Sequence, residues 1–71
     1  MDIYRLTPLG EALSHNVYAP RNNPKWRVIF YLAKHGARSK EDIVDNTGAN
    51  GYILASLRNK RIISGGESVT V

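Results

Sequence analysis

Tyr52, Ser56 and Asn59 stand at i, i+4 and i+7, along one side of a helix, with Arg58 and Lys60 on its flanks. Such side chains offer hydroxyl, amide, guanidinium and ammonium groups. Their chemistry is hydrogen bonding to polar edges and pairing with anions, not nucleophilic attack. A polar, basic helix on a small scaffold suits the major groove of duplex DNA. The wider charge pattern points the same way. Between residues 21 and 40 lie Arg21, Lys25, Arg27, Lys34, Arg38 and Lys40, with no acidic residue among them. Glu41, Asp42 and Asp45 follow, then Arg58, Lys60 and Arg61, for a net charge of +4. Basic clusters of this kind mark a polyanion-binding face, although small proteins are also often basic simply to stay soluble.

Other classes of function find little support. The chain has no cysteine, so it forms no disulfide and no thiolate zinc site. His15 and His35 are too few and too far apart to suggest a metal site, and no cofactor is expected. Gly65-Gly66 lacks the Lys and helix that a phosphate loop needs. Ser64 reads as a strand-end residue rather than a nucleophile, and no carboxylates pair in an apolar setting. An enzyme is not expected. The longest apolar run, Val28 to Ala33, falls far short of the roughly 20 residues of a membrane span. Asp2 and the lack of a basic segment followed by an apolar one argue against a signal peptide, which leaves a cytoplasmic protein as the expectation. Seventy-one residues make one small domain. Chains of this size often add a disulfide, a metal or a partner, so dimerisation stays open.

The elements that must position these groups can be read from local chemistry. Ile3 to Leu6 alternates and is β-prone. Thr7 and Pro8 open a short helix, with Thr7 as N-cap, Glu11 near capping-box distance, and Leu9, Ala12 and Leu13 facing inward. Residues 16 to 24 are a turn-rich connection with two prolines. Asn23 and Pro24 repeat the cap-then-proline pattern and open the longest helix, to about His35. Its apolar stripe is Trp26, Ile29, Phe30 and Ala33, and Gly36 closes it as a left-handed cap. Ser39 caps a further helix that carries Glu41 and Asp42 in its first turn, faces Ile43 and Val44 inward and ends at Thr47-Gly48. The helix after it starts near Ala49 or Asn50 and reaches Lys60, burying Ile53, Leu54, Leu57 and then Ile62. Residues 62–64 and 68–71 can pair as a hairpin across Gly65, Gly66 and Glu67.

Ser39 to Val44, Thr47-Gly48, and the run Leu57-Arg58-Asn59-Lys60-Arg61-Ile62-Ile63 together resemble a winged helix-turn-helix domain of the bacterial and archaeal regulator type. The resemblance covers about residues 24 to 71 and implies a mainly α fold: a three-helix core, a small antiparallel β wing, and an extra N-terminal strand and short helix over 1–16. Only eight residues separate Gly48 from Leu57, about one turn fewer than is usual in such domains, so the recognition helix should be short. Tyr4 to Gly10 is similar to a segment that commonly follows the wing; here it comes first. Ile3 to Leu6 is expected to add a strand to the wing sheet or to serve a partner.

The resemblance implies roles. Asn50, Tyr52, Ser56, Asn59 and Arg58 would face base edges, Asn reading adenine and Arg guanine. Asn50 has a second role open to it as a helix cap. Arg38, Ser39 and Lys40 at a helix N-terminus would hold phosphate. Lys25 and Arg27 would contact the same backbone, and Lys60 and Arg61 would contact it at the base of the wing. Arg61 has a competing role in covering apolar surface with its stem. The wing tip carries no Arg or Lys, so minor-groove reading is not expected. The implied partner is double-stranded DNA, with a homodimer or a protein partner open; the alternative is a winged helix used for protein contact, since Asp42 and Asp45 oppose phosphate.

Overall fold

A computed structural model describes residues 3–66. Its elements run β1 (Ile3–Leu6), α1 (Pro8–Leu13), α2 (Pro24–His35), β2 (Arg38–Ser39), α3 (Lys40–Thr47), α4 (Gly51–Asn59) and β3 (Ile63–Gly65). The described residues form an α plus β fold, with four helices and one three-stranded antiparallel sheet in the order β2-β1-β3. Among the described residues, no helix is long and apolar enough to cross a membrane.

Each helix starts where its cap predicts. Thr7, Asn23, Ser39 and Asn50 all sit in extended backbone, and their side chains accept from Gly10, Lys25, Asp42 and Ile53 N–H respectively. Pro8 and Pro24 take the first helical positions, where the missing N–H costs nothing. Gly48 closes α3 in the left-handed region. Gly36 ends α2 differently from the expected left-handed cap. Its φ is +78° but its ψ is −162°, so the chain leaves α2 extended and enters β2 at once.

The buried faces are shifted from those the sequence suggests. On α2 the fully buried residues are Val28, Ile29 and Leu32; Trp26 and Phe30 are half-buried and Ala33 is exposed. This helix is apolar around most of its circumference, so two stripes fit the periodicity. The aliphatic stripe wins the centre, and the aromatic rings cover its edge. On α1, Leu9 and Ala12 are exposed, Leu13 is half-buried and Gly10 is the buried residue. The reason is close approach of two backbones: a Cβ at Gly10 would lie 2.2 Å from the Ile62 carbonyl oxygen. On α4, Leu54 and Leu57 are buried, with Ile53 half-buried beside them and Ile62 half-buried beyond the helix.

The N-terminal strand does join the sheet, but as its middle strand. Ile3 and Tyr4 pair with Ser39 and Arg38 on one side, while Tyr4, Arg5 and Leu6 pair with Gly65, Ser64 and Ile63 on the other. Tyr4 thereby enters the core with Val28, Ile29, Leu32, Ile43, Ala49, Leu54, Leu57 and Ile63. The first limb of the expected hairpin is therefore β3, paired to β1; its second limb, residues 68–71, lies outside the described residues. Thr7 locks this arrangement. Its N–H donates to the Ile62 carbonyl at 3.1 Å, and its hydroxyl points at the carbonyls of Arg61 and Ile62.

Candidate functional site

The outer side of α4 is where most of the sequence-derived residues meet. With Leu54 and Leu57 turned inward, Tyr52, Ala55, Ser56 and Asn59 line a shallow surface hollow of about 590 Å³, closed at its ends by Gly51 and Lys60. Tyr52 is 88% exposed, so its ring and hydroxyl are free for contact with another molecule. Asn50 is a cap. Its Oδ1 accepts the Ile53 N–H at 3.0 Å, which leaves the Nδ2 as its donor. Arg58 is half-buried on the flank, in a separate cleft shared with Thr7, Asn59, Arg61 and Ser64. Asn59 borders both surfaces.

Positive charge collects at both ends of this helix. At its start, a Cβ built on Gly51 would stand 3.6 Å from the Lys40 Nζ, so this ammonium rests over the first turn of α4. At its end, the Lys25 and Lys60 side chains come together. The neighbouring Lys60 side chain, which disfavours a second charge beside its own, is the main cause that holds the Lys25 pKa below its ordinary value, with desolvation a smaller one. Two ammonium groups brought together this way favour an anion between them. Arg61 follows directly, with φ +61°, the one described non-glycine residue with positive φ. It occupies the left-handed position of a Schellman turn, in which Arg61 N–H donates to Arg58 and Ile62 N–H to Leu57, both at 3.0 Å.

Other expected phosphate contacts are placed elsewhere. Ser39 is half-buried and its hydroxyl caps α3 by accepting the Asp42 N–H at 3.3 Å. Arg38 lies in edge strand β2, and its Nε is 3.8 Å from Asp42 Oδ2, the one ion pair among the described residues. Asp42 also accepts from the Tyr31 hydroxyl at 2.9 Å and from Asn46 Nδ2 at 3.1 Å. The same carboxylate that opposes phosphate is thus engaged by Arg38, Tyr31 and Asn46, and Arg38 carries an offset charge.

Lys25 and Arg27 do not share a surface. Two residues at about 100° each set them roughly 200° apart around α2. Arg27 instead lines a groove of about 280 Å³ between α2 and α3, with Arg21, Phe30, Tyr31, Lys34, His35, Asn46 and Thr47. The sequence reading missed this grouping. The i, i+7 spacing of Arg27 and Lys34 was the signal that could have found it. Among the described residues, no three His, Asp or Glu side chains gather as a metal site would require. Comparison with protein-family models, with curated proteins and with solved structures gives no match.

Proposed function

We propose that this chain is a small winged helix-turn-helix regulator of the cytoplasm that binds double-stranded DNA by laying α4 in the major groove. One observation carries the reading: the outer side of α4, with Tyr52 and Asn59 exposed and Ser56 half-buried between them, is bracketed by ammonium groups, Lys40 over its first turn and Lys60 with Lys25 at its end. A helix with its side chains is about 10–12 Å across, which fits the roughly 12 Å width of the groove, and the nine residues of α4 extend its contacts over about 13 Å. Phosphates flanking the groove would meet the lysines while the polar face meets base edges. Asn59, exposed at the C-terminal end of that face, is the best placed to read adenine, and Arg58 at the flank to read guanine.

A second reading rests on Tyr52. An aromatic ring 88% exposed beside Ala55 suits a protein contact as well as a thymine methyl. A gel-shift titration against mixed-sequence duplex at two salt concentrations separates the two. Contacts from Lys25, Lys40, Lys60 and Arg61 predict a log–log salt slope of about −4. Absence of a shift at low salt, or a salt-independent one, would favour the protein partner.

A further inference from the structure

The α2–α3 groove belongs to neither the α4 face nor the core. Arg27 and Lys34 stand on the side of α2 away from the buried Val28, Ile29 and Leu32. Arg21 joins them from the preceding loop, held with its guanidinium 4.9 Å from the centre of the Phe30 ring. None of the described residues lining the groove is acidic. The carboxylate of Asp42, which bonds to the lining residues Tyr31 and Asn46, is also paired with Arg38. Resting on the reading of α4 as a duplex-binding helix, we propose that this groove is a second duplex-backbone site, so that one copy of the chain holds two DNA segments together.

Three features select a duplex backbone as occupant. Arg27 and Lys34 are seven residues apart, about 10.5 Å along the helix, which spans the axial rise of roughly three base pairs at 3.4 Å each. The aromatic floor is already covered: Arg21 caps Phe30, and Tyr31 packs on His35 with centroids 4.6 Å apart. Unstacked bases and the apolar anchor of a peptide would each need an open ring or pocket, and neither is offered. Last, the site faces away from Lys25, so one phosphate run on α4 does not reach it. Arg21 is also pre-ordered by its ring contact, which lowers the entropy lost when it grips a phosphate.

The test uses a duplex fixed to beads and a second, fluorescent duplex in solution, with the protein shown to be monomeric by sedimentation at the same concentration. The wild-type chain retains the fluorescent duplex on the beads. Arg27→Gln with Lys34→Gln abolishes that retention. Because charge is screened over about 8 Å at physiological salt, the same variant binds a single duplex within about threefold of wild type. Both side chains are exposed, and circular dichroism checks that the variant folds. Single-duplex binding without retention of the second duplex overturns the proposal, as does retention that survives in the double variant. A variant weakened tenfold or more for one duplex also overturns it, since the groove would then be part of the first site. Failure of the wild-type chain to bind the fixed duplex at all removes the reading of α4 itself. Capture of a labelled oligoglutamate peptide, lost in the same variant and with no bridging of duplexes, would assign the groove to an acidic protein instead.

Discussion

Replacing Arg61 with glycine should make the protein more stable and a weaker binder. Arg61 holds φ +61° at the left-handed position that ends α4, a place usually given to glycine. An L-residue there costs roughly 1–2 kcal/mol, while glycine loses about 0.4–1 kcal/mol more chain entropy on folding, leaving a net gain near 0.5–1 kcal/mol. For a domain of this size that raises the melting temperature by roughly 2–8 °C. The Schellman bonds to Arg58 and Leu57 and the Thr7 contacts use backbone atoms of residues 61 and 62, so they survive the change. Binding moves the other way: loss of one phosphate contact reduces the salt slope by about 0.9. Arg61→Ala separates the two effects, since it removes the charge and keeps the strained backbone. It should lower the slope equally with no gain in melting temperature. Thermal melts by circular dichroism and duplex binding by fluorescence anisotropy at several salt concentrations measure both quantities. A glycine variant no more stable than the alanine variant would refute the strain argument. An unchanged slope in both would show that the guanidinium does not meet phosphate, and marked destabilisation by alanine would assign the Arg61 stem to covering apolar surface.

Three further outcomes follow from the geometry. Lys60→Gln should raise the Lys25 pKa toward its ordinary value, because Lys60 is the main cause of its depression; side-chain NMR titration reads this, and an unmoved pKa would show that the two groups do not meet in solution. Gly10→Ala drives a Cβ to 2.2 Å from the Ile62 backbone, so urea unfolding should show a loss of about 1–3 kcal/mol. A neutral result would mean that α1 does not rest on residue 62. Asn59→Ala should change sequence preference among duplexes, while Lys40→Ala should weaken all of them alike and flatten the salt slope; uniform loss in both would erase the distinction between reading and positioning residues.

What could be read from the sequence was local. The caps at Thr7, Asn23, Ser39 and Asn50 act within three residues of themselves, and all four helices start beside them. The inward face of α2 was less legible because aliphatic and aromatic stripes both satisfy helical periodicity. β2 has two residues and no propensity of its own; it exists because β1 pairs with it. The central place of β1 likewise depends on partners more than 30 residues away. In the candidate site, the exposed side of α4 was visible from spacing alone. Lys25 beside Lys60 was not, since 35 residues separate them and only the packing of α2 on α4 unites them. By contrast, the opposed directions of Lys25 and Arg27 follow from helical spacing and were open to a closer reading, whereas Arg38 meets Asp42 from β2, ahead of the helix that carries Asp42.

On the proposed reading, the outer side of α4, with the lysines at its two ends, is the surface that meets duplex DNA. Titrating a short duplex into ¹⁵N-labelled protein while following amide and side-chain shifts tests it most directly. Shifts should concentrate at Tyr52, Ser56 and Asn59 and at Lys25, Lys40 and Lys60. Shifts confined to α1 and the exposed Val17–Tyr18 loop, or no shifts at low salt, would contradict it.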